Sequence, residues 1–319
     1  MKIVVIGGCG HIGSYLIPKL VRANHRVICV SRGKSKPYTE DFAWKEVEPL
    51  ILDREQEPLG TFDNKIAALN ADVVVDLISF SLASVQHMVE ALRHTNLSHY
   101  LYCSSIWTHG RTTVLPLTED LPRHPLDEYG EQKYQSEQYL HQCFRNDGFP
   151  ETVVMPGQIS GPGWNIINPV GNLDRTVFAK IRRGEEIVMP NFGMETLHHV
   201  HADDVAQVFF NAINHRNAAL GESFHAVGAE SITFYGYAVA MYRFFGQQPA
   251  IKFLPWDEWC SYTKDEGHIE TTYYHMARSG HFSIEKGKRL INYRPKYTPL
   301  ETIEQSVAYM VAQKWLDKE

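Results

Sequence analysis

The sequence lacks most of the features that would take it outside the ordinary globular class. It has only five cysteines (Cys9, Cys29, Cys103, Cys143 and Cys260), and no two are spaced as a zinc pair. Cys29 and Cys103 fall in strand-like apolar runs, where buried thiols are expected. No apolar run approaches the length of a membrane span. The first residues read as a strand, not as a basic stretch followed by an apolar core and a cleavage site, so a cytoplasmic, reducing environment is expected. Positive charge is not in excess. With 31 basic and 37 acidic side chains the net charge is -6, which disfavours general binding of nucleic-acid backbones and leaves room only for a local basic patch. Internal repeats and low-complexity segments are also missing.

What is present can bury a sizeable core. Hydrophobic residues make up 44% of the 319 positions and charged residues 21%, enough for two domains or for one large domain with a smaller one attached. The apolar run Lys2–Ile6 meets Gly7, Gly8, Gly10 and Gly13, after which Ile12, Leu16, Ile17, Leu20 and Val21 recur at helical spacing. Val27–Val30 is a second strand, Glu48–Leu52 a third, and Asp72–Ile78 a run suited to a strand buried on both faces. A helix over Ser84–Leu92, a strand over His99–Ser104, a long helix over Tyr129–Phe144 and a strand over Thr152–Met155 continue the alternation. Helices between strands imply right-handed crossovers and a parallel sheet. The expected fold is therefore α/β: a Rossmann-type doubly wound sheet over residues 1–156, with a smaller substrate-binding region over 157–319. In that second region Asn172–Arg183, Asp204–Ile213 and Thr233–Phe245 read as helices. Ile187–Met189, Thr196–Val200, Phe224–Val227 and Lys252–Leu254 read as strands, and Asp204–Ile213 is a candidate to return to the first domain.

The glycine turn is the strongest local signal. Gly7 can leave the strand, Gly10 removes a side chain where a pyrophosphate must approach, and Gly13 allows the helix to press on the sheet. The N–H groups of His11, Ile12 and Gly13 then face the phosphates at a helix N-terminus. At the end of the second strand an acidic residue would select NAD. Ser31 stands there instead, followed by Arg32, which favours NADP while an adenine-stacking role for Arg32 stays open. Asp53 is a candidate partner for the adenine amino group or a plain loop residue, and Ser79 is a further candidate cofactor contact.

Tyr129 and Lys133, four apart, share one face of a helix, where an ammonium can lower the tyrosine pKa and hold a ribose. Ser105, just past an apolar strand, can bind the substrate oxygen that becomes a carbonyl. Tyr129 would then move the proton while the cofactor moves the hydride. Ser105, Tyr129 and Lys133 are the candidate catalytic residues.

With these motifs in order, nearly the whole chain resembles the extended short-chain dehydrogenase/reductase family, the NAD-dependent epimerase/dehydratase group. The family's Gly-x-x-Gly-x-x-Gly turn matches Gly7, Gly10 and Gly13; its serine, tyrosine and lysine match Ser105, Tyr129 and Lys133; its Gly-Pro-Gly loop matches Gly161-Pro162-Gly163; and its late Asp-Asp-Val-Ala segment matches Asp203–Ala206. The resemblance implies an NAD(P)-dependent epimerase or oxidoreductase acting on a sugar, nucleotide sugars included. It also implies a homodimer paired through Ser84–Leu92 and Tyr129–Phe144, with Tyr139, Leu140 and Phe144 as candidate contacts. The departures weigh on substrate. Ile106-Trp107 replaces the Asp-Glu of family dehydratases, Leu197 stands where many epimerases carry a phosphate-binding arginine, and Gln158 replaces an asparagine. Arg278 resembles a second family phosphate-binding arginine. Trp107, Gln158 and Arg278, with Ser105, form the expected substrate set. The alternative is a family member that keeps the Rossmann unit as a nucleotide sensor or RNA-associated protein without turnover.

Other residues invite both functional and packing readings. His198, His199 and His201 lack the neighbours that complete a metal site. His109 could line the substrate pocket, and Trp256, Trp259, Tyr262, Tyr273 and Tyr274 suit either a ring-binding surface or a small core. The cofactor reading carries a direct test. Arg32→Ala should weaken NADPH binding, followed by cofactor fluorescence, much more than NADH binding; equal losses would remove the case for NADP.

Overall fold

The computed structural model describes residues 1–317. The first half alternates strand and helix, except that only a 3₁₀ turn (Phe42–Glu46) joins β2 to β3: β1 (Lys2–Ile6), α1 (His11–Arg22), β2 (Arg26–Ser31), β3 (Glu48–Ile51), α2 (Thr61–Ala68), β4 (Val73–Asp76), α3 (Leu82–Leu92), β5 (His99–Cys103), α4 (Glu128–Asp147) and β6 (Glu151–Pro156). Then come β7 (Gln158–Ser160), α5 (Thr176–Arg182), β8 (Ile187–Pro190), β9 (Thr196–Leu197), β10 (His199–His201), α6 (Ala202–Asn214) and α7 (Arg216–Ala219). The chain ends with β11 (Ser223–Ala226), β12 (Ile232–Thr233), α8 (Phe234–Phe244), β13 (Ile251–Leu254), α9 (Trp256–Thr263), α10 (Glu266–Ala277), α11 (Glu285–Ile291) and α12 (Pro299–Ala312).

Seven strands form one parallel sheet in the order β11-β6-β5-β4-β1-β2-β3. The chain reverses direction of growth between β1 and β4, which opens a crevice beyond their carboxyl ends. β1, β4, β5 and β6 are buried almost throughout, so their near-continuous Val, Ile, Leu and Tyr content follows from having helices on both faces. β11 and α6 come from the later part of the chain. β11 extends the sheet beside β6, and α6 packs against α1. A second apolar cluster, including Phe178, Met189, Phe234, Tyr237, Trp259 and Ile303, forms the core of the smaller region. Trp259 is buried there with its indole N–H on the Val188 carbonyl at 3.0 Å, so it packs a core.

Several boundaries moved for local reasons. α3 begins at Leu82 because Ser81 caps it, accepting from the Ser84 N–H at 3.3 Å. The helix expected from Asn172 begins only at Thr176. Asn168 and Asn172 bond to each other at 2.6 Å, and Asn172 also accepts from the Asp174 N–H, which holds those residues in a turn. The single strand expected over Thr196–Val200 is two. β9 pairs antiparallel with β12, β10 pairs parallel with β7, and His198 between them donates to the Gly280 carbonyl at 2.7 Å. Of the expected dimer contacts, Leu140 is fully buried within its own chain, while Tyr139 and Phe144 are half-buried.

The interior holds an unusual number of imidazoles. Burial pulls His11, His99, His199 and His225 down to about 3, His198, His201 and His275 to about 4, and His109 to about 2. In the unfolded chain each titrates near 6.5. Below about pH 6.5 the unfolded chain therefore binds more protons, and stability is lost as pH falls toward the folded values, by up to about 1.4 kcal/mol per pH unit for each group. Buried carboxylates oppose this, most clearly Asp204, which burial raises to about 6. The histidines outnumber them, so the urea midpoint should fall between pH 7 and pH 5; a midpoint that holds or rises would contradict the neutral histidine interior.

Candidate active site

The glycine turn sits at the crevice. Gly7 leaves β1 with φ of +80° and donates to the Val30 carbonyl at 2.9 Å, fastening the turn to β2. Gly13 faces the Gly8 carbonyl so closely that a Cβ would lie 2.2 Å from its oxygen. At Gly10, by contrast, an added Cβ would meet only the Gly7 carbonyl oxygen within 4 Å. Gly10 caps α1 without a side-chain hydrogen bond, and no acidic residue occupies the first turn. The helix N-terminus thus keeps donors and a positive field for an anion. Ile12 is buried in the main core, and the His11 ring stacks on Trp164 with centroids 5.1 Å apart, so both can offer this site only their backbone N–H.

Beside the turn lies a cleft of about 290 Å³ lined by Gly7, Cys9, Gly10, Ser31, Arg32, Lys34, Tyr38, Asp53, Arg54, Phe62 and Phe80. Arg32 and Lys34 are exposed at its edge. The Ser31 hydroxyl accepts from the Gly33 N–H at 3.3 Å, and one Asp53 oxygen accepts from the Glu55 N–H at 3.2 Å. An ion pair lies deeper. Arg54 meets buried Asp76 at 2.6 Å, donates to the Ile78 carbonyl at 3.2 Å and stacks on Phe62. The sequence reading did not single out Arg54 or Asp76. The available signal was a carboxylate closing the run Val73-Val74-Val75-Asp76, because a buried charge demands a partner.

Lys133 reaches across from α4 and is almost fully buried. Its Nζ donates to the Ser79 carbonyl at 2.7 Å and the Cys103 carbonyl at 2.6 Å, and burial draws its pKa to about 8. Its ammonium is 5.8 Å from the Tyr129 ring centroid. Part of Tyr129 is exposed, yet burial around the phenol pushes it above the ordinary tyrosine range, opposed by the Ser105 hydroxyl. The expected lowering by Lys133 is therefore overturned: that ammonium is committed to two carbonyls, and desolvation dominates. Ser105 begins a 3₁₀ turn and accepts from the Trp107 N–H at 3.2 Å. The Ser79 backbone joins this group through its carbonyl, while its hydroxyl is buried without a partner.

A second cleft, of about 530 Å³, is lined by Tyr38, Trp107, Gln158, Trp164, Asn165, Ile167, Leu173, Thr271, His275 and Trp315. Tyr38 belongs to both clefts. Trp107 stands edge-on to Tyr129. His109 is not in this lining; it shares a 2.9 Å hydrogen bond with His225 behind the site. Arg278 is also outside the lining. Its guanidinium is buried 3.8 Å over Trp107 and 4.9 Å over Tyr274, and pairs with Asp127 at 2.8 Å. Asp127 in turn caps α4 through the Gly130 N–H at 2.8 Å. Leu197 is buried in the second core.

The model of the NAD dependent epimerase/dehydratase family matches residues 3–226. The chain belongs to that family. By family it is an epimerase/dehydrogenase-like enzyme. Among curated proteins it is similar to the chloroplast stem-loop binding protein of 41 kDa b of Arabidopsis thaliana, 27% identical over 96% of this chain and 78% of that one. A UDP-glucose 4-epimerase of Lactobacillus helveticus is 27% identical over 50% of this chain and 52% of its own. Among solved structures, a UDP-glucuronic acid 4-epimerase of Bacillus cereus in complex with NAD superposes with a TM-score of 0.74 at 18% identity, covering 98% of this chain and 99% of that one. A UDP-glucose 4-epimerase of Thermotoga maritima with UDP-glucose gives 0.73 at 20% identity, over 98% of this chain and all of that one. At these identities the structural likeness is one of fold.

The close approach at Gly13 yields a test. Gly13→Ala drives a methyl into the Gly8 carbonyl, which can give way only by moving the turn. The substitution should destabilise the chain by about 1–3 kcal/mol in urea melts and sharply weaken dinucleotide binding. Wild-type values for both would show that the turn has slack.

Proposed function

We propose that the chain is an NAD(P)-dependent epimerase or oxidoreductase that acts at a hydroxyl- or carbonyl-bearing carbon of a sugar, nucleotide sugars included. The observation that carries this reading is the meeting of Tyr129 with Ser105 and Lys133, where Lys133 bonds the carbonyls of Ser79 and Cys103 and Ile78, next to Ser79, packs against Gly7 of the turn. Gly7, Gly10, Gly13 and the N–H groups of His11 and Ile12 would hold the pyrophosphate, with Ser31, Arg32 and Asp53 around the adenosine. The uncapped N-terminus of α1 and the open face of Gly10 fit such a group. Arg32 and Lys34 at the cleft edge support NADP.

The bound nicotinamide supplies hydride exchange. Ser105 donates to the reacting oxygen, and Tyr129 exchanges its proton. A phenol held protonated by burial is suited to give that proton to a nascent alkoxide. In the oxidising direction the phenolate leans on the Ser105 hydroxyl. Trp107 and Gln158 line the wall where the rest of the substrate would lie. Arg278 would position Trp107, whose face it covers, and not touch the substrate itself.

A second reading draws on the likeness, across 96% of the chain, to a protein named for stem-loop binding: association with structured RNA without turnover. Binding of a stem-loop RNA tighter than about micromolar at physiological salt, with no redox change of bound cofactor, would favour it.

For the enzymatic reading, Tyr129→Phe should abolish hydride transfer, followed by cofactor absorbance across a panel of sugars and sugar nucleotides, while cofactor affinity stays near wild type. Undiminished transfer would remove Tyr129 from the chemistry. A wild type that never changes the cofactor's redox state with any of these substrates would defeat the reading.

A further inference from the structure

The glycine turn carries a feature that hydride chemistry does not use. Cys9, its third residue, and Cys29, in the middle of β2, bring their sulfurs to 3.6 Å. Both are free thiols. Cys9 is half-buried and lines the cleft beside the turn, so a small oxidant in that cleft can reach it. Cys29 is buried, and burial keeps its thiol protonated. One accessible and one enclosed sulfur in contact make an attacking and a resolving pair.

We propose that Cys9 and Cys29 are an oxidative modification site: a peroxide joins them in a reversible disulfide that closes the dinucleotide turn. The Cys9 thiolate attacks one peroxide oxygen, the O–O bond breaks, and Cys9 becomes a sulfenic acid as the first water leaves. The Cys29 sulfur then attacks the Cys9 sulfur, the S–O bond breaks, and the second water leaves with the Cys29 proton. Two thiols lose two electrons in all, and the peroxide is reduced to two waters.

The movement falls on the turn. Cys29 sits on a strand paired on both sides, opposite Val5 of β1 and Pro49 of β3. Closing 3.6 Å to the roughly 2.05 Å of a disulfide must therefore draw Cys9 inward. The turn has little room to follow, since a Cβ on Gly8 would already lie 2.7 Å from the Cys29 sulfur. The N–H groups at the start of α1 are then displaced from the positions that suit a pyrophosphate. This consequence rests on the cofactor reading proposed above.

The test uses the whole chain, hydrogen peroxide and NADH. After peroxide treatment, intact mass should fall by two hydrogens, and peptide mapping should join Cys9 to Cys29. NADH affinity, by fluorescence titration, should drop by about tenfold or more, and dithiothreitol should restore both. Cys29→Ala should form no such crosslink, and its NADH affinity should not show the reversible drop. Bound NADH should slow the crosslink in the wild type by covering Cys9. Peroxide treatment that leaves both thiols free, or that oxidises Cys9 beyond sulfenic acid with Cys29 untouched, overturns the proposal. A crosslink that leaves NADH affinity unchanged overturns the proposed closing of the turn. If the reduced wild type binds neither NADH nor NADPH, the cofactor reading fails instead, and the mass and peptide map still decide the thiol pair.

Discussion

The buried ammonium of Lys133 ties the site together. It spans from α4 to the carbonyls of Ser79, beyond β4, and Cys103, at the end of β5. Ser79 lies past the end of β4 and Cys103 is the last paired residue of β5, and a buried carbonyl left without a donor is costly. By satisfying both, one side chain sets the depth of α4 against the sheet. Tyr129, one turn earlier on the same helix, and Ser105, two residues past Cys103, take their positions from that contact. Its cost is visible in the lysine itself, whose pKa burial draws to about 8.

A second fastening closes the other side of the tyrosine. Asp127 caps α4, Arg278 pairs with Asp127, and Trp107 and Tyr274 enclose the guanidinium. This chain of contacts runs from the end of α10 to the first turn of the helix that carries Tyr129. Behind it the polar interior is largely neutral. His109 and His225 bond to each other, and Phe282 packs edge-on against both. Ser104, Glu137 and Arg123 form a buried charged cluster one turn further along the same face of α4 as Lys133. The floor of the adenosine-side cleft uses the same logic, with Asp76 and Arg54 neutralising one another beneath it. The site is thus framed by polar groups that are mostly spent on each other.

The sheet and the turn were legible because their signals are local. Four glycines between Ile6 and a helical repeat, and the run of apolar residues ending at Asp76, need no distant partner to be read. The later helices were less legible. α9 and α10 mix aromatic and charged residues without a clean apolar stripe, and six later-region or connecting helices (α2, α7, α9, α10, α11 and α12) were not anticipated. α12 did carry a readable start, with Thr298, Pro299 and Glu301 forming a capping box. Aromatics around Trp259 read equally as binding surface or core, and burial decides for core in the case of Trp259 itself.

What the sequence by itself determined is the order of the parallel strands from β1 to β6, the position of the dinucleotide turn, and the spacing that sets Tyr129 and Lys133 on one helical face. These follow from periodicity and from the few residues able to adopt a turn, and both act within a dozen positions. Which charges are free was decided only in three dimensions. Arg278 reads in sequence as a cation for substrate, but its partners come from residues 107, 127 and 274, and together they take it out of the cleft. Lys133 reads as a charge that lowers the Tyr129 pKa, but two strand ends claim it first. Electrostatic roles depend on distance and burial, and those are properties of the packed chain: 3.6 Å between Cys9 and Cys29, twenty residues apart, exists only because β2 lies beside β1.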